Sequence, residues 1–135
     1  MDTLASLLEQ AGYDFLVRGE EAHLVFTDGR VRWHAVCVEQ KEAVLIYSRY
    51  PFRMEDETQA LYACNRINAV DLWGHFYLED GAVVVRTRVD LTDAFYAPEL
   101  FLRGIGAHCA SVSGHWRELF ARAGGNPPRL KSVGL

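Results

Sequence analysis

The sequence is poor in the residues that most chemistry requires. Its three cysteines, Cys37, Cys64 and Cys109, are odd in number and widely spaced, with no CxxC pair. That spacing excludes a disulfide framework and a zinc ribbon, and it reads as reduced, buried thiols acting as small hydrophobes. Positive charge is also short, with 14 Lys and Arg against 18 Asp and Glu, a formal net charge of −4. A mildly acidic chain lacks the electrostatic footprint of a nucleic-acid binder and has no polybasic patch for a membrane surface. No apolar run reaches the roughly 18–20 residues needed to cross a bilayer. Met1 to Gln10 carries Asp2 and Glu9 but no basic residue, unlike a secretory signal. The expectation is a cytoplasmic protein. There is no GxSxG elbow and no glycine-rich phosphate loop, since Arg103-Gly104-Ile105-Gly106 is too short and lies within a helical pattern.

What is present is core material. Half of the 135 residues are hydrophobic, including 3 Trp, 6 Tyr and 7 Phe, enough for one domain without staples. Leu4, Leu7, Leu8 and Ala11 fall at helical spacing, with Gly12 just past the end. Tyr13–Val17 has room for a short edge strand. Three runs of strand character follow, Ala22–Phe26, Val31–Val38 and Ala43–Tyr50, with Asp28-Gly29 and Gln40-Lys41 as turns. Asp56–Val70 reads as a helix with Ala60, Leu61, Cys64 and Ile67 as its stripe. Trp73–Leu78 and Ala82–Val89 form a second hairpin across Asp80-Gly81. A long helix spans about Pro98–Ala123, with a stripe of Phe101, Ile105, Cys109, Val112, Trp116 and Leu119 or Phe120. The order α-β-β-β-α-β-β-α gives an α+β domain over residues 1–123, an antiparallel sheet with helices on one face. Gly124 to Leu135, opening with Gly-Gly-Asn-Pro-Pro, reads as a loose tail.

This order, together with the helix end Leu61-Tyr-Ala-Cys-Asn-Arg-Ile-Asn68 and the hairpin Trp73-Gly-His-Phe-Tyr-Leu-Glu-Asp-Gly-Ala-Val-Val-Val-Arg88, resembles the YbjN family of bacterial sensory transduction regulators. The resemblance covers about Leu4 to Phe120. That family is similar in fold to the class I chaperones of type III secretion, which are homodimers that hold extended client segments. It implies a binding or regulatory role and nothing sharper.

Tight turns set the strand register, and with it the two sheet faces. A turn at Asp28-Gly29 pairs Phe26 with Val31, Leu24 with Trp33 and His23 with His34. One face then carries Leu24, Phe26, Val31, Trp33, Ala35, Cys37, Val44 and Ile46, the predicted core. In the second hairpin Phe76, Leu78, Val83 and Val85 point inward, while Tyr77 pairs with Val84, His75 with Arg86 and Trp73 with Arg88. The outward face mixes Trp73, Tyr77, Leu45 and Tyr47 with Arg86 and Arg88. Aromatics with arginine are the composition of protein interfaces. These six residues are the candidate protein-binding site.

Rival chemistry is thinner. His23 opposite His34 suggests a metal or proton site, but no third ligand converges there. His108 and His115 are seven residues apart, roughly 10.5 Å along a helix, too far for one metal, and read as core-edge or surface groups. Ser111 and His115 are close in sequence but expected to point apart. Glu55, Asp56 and Glu57 suit a helix start. Asn65 and Asn68 read as helix-end caps, with a client contact as the alternative. Gly104, Ala107, Ala110 or Ser111, and Gly114 make a small-residue seam that asks for a close neighbour, either the chain's own sheet or a second subunit. The expectation is a non-enzymatic, chaperone-like or regulatory protein-binding module, a homodimer with a protein or peptide client and no cofactor. The alternatives are a small-molecule sensor with a ligand between the sheet and the last helix, or a metal or enzyme site at His23/His34.

Overall fold

The computed structural model describes residues 2–123, so the tail from Gly124 to Leu135 lies outside the described residues. Helix α1 (Asp2–Ala11) leads into strands β1 (Leu16–Arg18), β2 (Glu21–Asp28), β3 (Val31–Gln40) and β4 (Ala43–Arg49). Helix α2 (Glu57–Asn68), strands β5 (His75–Glu79) and β6 (Ala82–Asp90) and helix α3 (Ala97–Ala121) complete the chain. The six strands form one sheet in the order β1-β2-β3-β4-β6-β5, antiparallel at every pair. The short edge strand expected after α1 is β1, displaced toward Arg18.

Each element has a local cause. Gly12 follows α1 with φ 83°, where only glycine is unstrained. Asp56 caps α2 by accepting from the Gln59 N–H at 3.1 Å. Asp80 and Gly81 both have positive φ, as a type I′ hairpin turn requires, and Glu79 pairs with Ala82 as expected.

The first hairpin departs from expectation. Its central residues are Gly29 and Arg30, not Asp28 and Gly29, so Asp28 pairs with Val31, Phe26 with Trp33 and Leu24 with Ala35. Gly29, at φ 62°, supplies the one left-handed residue at the first central position, and Asp28 stays extended and lengthens β2. The β3–β4 turn likewise moves on by one residue, with Gln40 paired to Ala43 and Glu42 at φ 60°. Each move slides the register by two residues. Side chains alternate with period two, so no residue changes face.

The core therefore falls where it was expected. Leu24, Trp33, Ala35, Cys37, Val44, Ile46, Phe76, Val83 and Val85 are buried in one cluster with residues of all three helices. Tyr50 sits at its centre, edge-on to Trp33 and donating its hydroxyl to the Val112 carbonyl at 2.7 Å. Two stripe assignments change. Ala63 takes the buried place on α2 and Leu61 is half exposed, because α2 packs beside β5 at an angle that selects Ala60, Ala63, Cys64 and Ile67. On α3, Cys109 is only partly buried, while Leu119 is fully buried and Phe120 packs at the margin.

Candidate functional site

Two regions gather polar chemistry: the inner face beneath α3, and the helix-free outer face of the sheet. Beneath α3 lies a buried network of His108, Ser48 and Thr87. His108 is fully buried, with Nε2 2.8 Å from Ser48 Oγ on β4 and Nδ1 2.8 Å from Thr87 Oγ1 on β6. One hydroxyl donates to the ring and the other accepts from it, so the imidazole is fully paired while neutral. Burial pushes its pKa down to about 3. This corrects the expectation of a core-edge or surface histidine. The available signal was two hydroxyl residues, Ser48 and Thr87, at inward-facing strand positions, in register with a histidine between Ile105 and Val112 on the buried stripe.

A second correction concerns Ser111 and His115. Four residues apart, they share a face of α3 and converge on Asp71 in the α2–β5 loop. Ser111 Oγ donates to Asp71 Oδ1 at 3.1 Å and His115 Nε2 to Oδ2 at 3.2 Å. The Trp73 and Gly74 amides also donate to Oδ1, at 2.9 and 2.8 Å. Burial raises the Asp71 pKa, but these four donors outweigh it and hold the carboxyl below its usual value. Serine and histidine meet at the carboxylate rather than at each other, so the imidazole does not address the Ser111 hydroxyl as it would in a nucleophilic pair. The cluster instead pins the loop to α3.

Asn68 does something other than capping α2. Its amide Nδ2 donates to the Phe76 carbonyl at 2.9 Å and its Oδ1 accepts the Phe76 N–H at 2.8 Å. One side chain thus occupies both main-chain groups of an edge residue on β5, the place another strand would pair. The α2 C-cap is at Ala69, whose N–H reaches the Asn65 and Ile67 carbonyls.

On the outer face, Val38 pairs with Leu45 and Val36 with Tyr47 across β3–β4, and Tyr77 pairs with Val84 across β5–β6. Arg86 stands between Tyr47 on β4 and His75 on β5, and Arg88 beside Leu45. Leu45, Tyr47, Tyr77, Arg86 and Arg88 therefore do share one neighbourhood. Leu45 and Val84, on this same face, are only 8% and 4% exposed. Trp73 departs from the expected ladder. β5 begins at His75, the Asp71 carboxylate draws the Trp73 amide into a loop, and the strand partner of Arg88 is Leu45. The cation–π contacts found are Arg117 over Trp116 and Arg122 over Tyr62.

His23 and His34 lie at the other end of this face. The shifted register makes them diagonal neighbours, with rings stacked at 5.1 Å and Nδ1 of His23 3.0 Å from Nε2 of His34. His23 Nε2 is 3.1 Å from Glu21 Oε1. Glu21, His23 and His34 thus form a chain of hydrogen bonds, not a cluster around one point. Among the described residues no group of three or more His, Cys, Asp or Glu is arranged to hold a metal. The thiols of Cys37 and Cys109 are pushed up to about 12 by burial, and all three cysteines are free. The space between sheet and α3, where a sensor's ligand would sit, is filled by Phe101, Ile105, His108, Val112 and Leu119. No helix among the described residues is long and apolar enough to cross a membrane.

Comparison with known proteins fits this architecture. Residues 1–119 match the family described as "YbjN: Putative bacterial sensory transduction regulator". The chain belongs to the YbjN family. A similar solved structure is entitled "Crystal structure of YbjN, a putative transcription regulator from E. coli". It superposes with a TM-score of 0.52 at 17% sequence identity, over 84% of this chain and 92% of that one. At that identity the likeness shows the fold alone. No curated protein matches the sequence. The family description is regulatory, and nothing in it names a reaction.

Proposed function

We propose that this YbjN-family chain is a regulatory protein-binding module, acting as a homodimer, whose contact surface is the outer sheet face around Leu45, Tyr47, Tyr77, Arg86 and Arg88. The observation that carries the reading is the composition of that face. Arg86 and Arg88 project beside Tyr47, Leu45 and His75, and neither arginine forms an ion pair among the described residues. Arginine with aromatic neighbours on a rigid sheet is how interface anchors are built. A net charge of −4 favours a protein partner over a nucleic acid. Trp73 stays a candidate only as a separate contact, since it stands in the loop before β5 and is about half exposed. The chaperone-like and client-holding aspects rest on the fold likeness and this face together.

Light scattering at micromolar concentration tests the dimer, with an expected mass near twice 15.3 kDa. A photo-crosslinking residue at Tyr47 or Tyr77 should capture protein in the native host, and the same residue at Gln10 on α1 should not. A single-chain mass at every concentration sinks the dimer. Capture at Gln10 but not on the sheet sinks the binding face.

A further inference from the structure

The sheet has two outer edges, and they differ. On β5, Asn68 occupies both main-chain groups of Phe76. On β1 all three residues are exposed, Leu16 at 56% and Val17 at 45%. Among the described residues no strand pairs with the outer side of β1. The stretch Asp14-Phe15-Leu16-Val17-Arg18 has an acid at one end, a base at the other and three apolar residues between. Laid antiparallel on a copy of itself, such a stretch sets opposite charges together.

Main-chain geometry limits how that can happen. β1 and β2 meet at the two-residue turn Gly19-Glu20, so Arg18 and Glu21 form its closing, hydrogen-bonded pair. Direction alternates along a strand, so Leu16 also turns its N–H and C=O toward β2 and Val17 turns its own outward. The same alternation carried back gives Phe15 the outward direction. A two-fold pairing centred on Val17 sets Arg18 against Leu16, and one centred on Phe15 sets Asp14 against Leu16. Centring on Leu16 sets Asp14 against Arg18 twice and Phe15 against Val17 twice.

We propose that β1 joins this chain to a second copy of itself, antiparallel, with Leu16 on the two-fold axis; this rests on the homodimer proposed above and names its element. Each Phe15–Val17 pair would exchange both main-chain hydrogen bonds. Arg18 already faces Glu21 across its own ladder. Asp14 of the second copy would stand on its other side, giving a row of alternating sign. The axis runs through the sheet, so both outer faces stay on one side, open to a partner.

The test uses the full chain. At a non-hydrogen-bonded pair the two Cα atoms stand about 4.5 Å apart, within disulfide reach. Leu16→Cys should therefore oxidise to a covalent dimer, above the background that wild type gives with its own three cysteines. Val25→Cys, exposed on β2, should not. In light scattering, Asp14→Arg and Arg18→Glu should each raise the dimer dissociation constant at least tenfold. An equal mixture of the two should restore the dimer, because each supplies the charge the other lacks, and that recovery shows both are folded. The proposal is overturned if both variants stay dimeric alone, if the mixture is no more dimeric than its parts, or if Val17→Cys couples and Leu16→Cys does not. A Leu16→Cys chain that couples to a host protein in lysate, and not to itself when pure, makes a foreign strand the occupant and overturns it too. In each of these cases a wild-type dimer in light scattering leaves the homodimer standing without this element. A wild-type chain that is monomeric at every concentration overturns both.

Discussion

At the scale of single residues, the informative groups are histidines whose environments differ. His108 is sealed beneath α3, and its pKa near 3 means the folded chain resists a proton that the unfolded chain takes up near 6.5. The unfolded state therefore binds more protons between those values. Stability is complete above pH 6.5 and is lost as pH falls toward 3, at up to about 1.4 kcal/mol per pH unit. Urea unfolding should show a loss of about 2 kcal/mol between pH 7 and pH 5. In His108→Leu that loss should shrink by more than half, although its stability at pH 7 is lower because Ser48 and Thr87 are left without their partner. The residual slope belongs to His34, whose pKa is lowered by burial, then by His23 and Arg18. Arg49, across the ladder on β4, and Arg32 add to the positive surroundings of that ring. A proton titration followed by NMR should place His34 below 6.5, and His23→Gln should move it upward. An unmoved midpoint would mean the 3.0 Å contact between the rings does not couple them.

At the scale of elements, two contacts decide how helices meet the sheet. Asn68 occupies the Phe76 main chain on the β5 edge. Asn68→Ala should cost on the order of 1–3 kcal/mol and speed hydrogen exchange at the Phe76 amide, while Asn68→Asp, keeping only an acceptor, should retain part of the protection. Gly104 lets α3 approach β6. A Cβ there would come within 2.4 Å of Val89 Cγ2, a methyl on a stiff β-branched side chain. Gly104→Ala should destabilise by about 1–3 kcal/mol despite its better helix propensity, and Val89→Ala in the same chain should recover most of the loss. Gly114 sits in open space, so Gly114→Ala should stabilise by up to about 1 kcal/mol. The small-residue seam is thus two features. Gly104 serves the chain's own sheet, and nothing described packs against Gly114. Spacing alone could not separate them, because both lie in similar helical sequence.

At the scale of the whole molecule, the domain divides into a dry side and a wet one. Helices α1, α2 and α3 share a core with the inner sheet face, and an ion pair between Arg66 and Glu118 ties α2 to α3. The outer face collects Arg18, Arg32, Arg49, Arg86 and Arg88 against Glu21, Glu79 and Asp90, in a chain that is acidic as a whole. If the proposed binding face takes an acidic partner, the association rate should fall with salt. Neutralising arginines on this face should flatten that salt dependence in stopped-flow measurements.

The amino-acid sequence by itself determined the element order, the turns to within one residue, and which side of every main strand faces the core. Those features depend on periodicity and on glycine, which act locally and survive a two-residue slip in register. It also showed the arginines and aromatics of the outer face as a set. The tertiary structure alone decided that Ser48, Thr87 and His108 form one buried network, that Ser111 and His115 meet at Asp71, and that Asn68 closes the β5 edge. It also removed Trp73 from the strand ladder. Each of these joins residues far apart in the chain, through the packing of α2 and α3 on the sheet. Such contacts follow from how helices sit on a twisted sheet, and no local spacing encodes that angle.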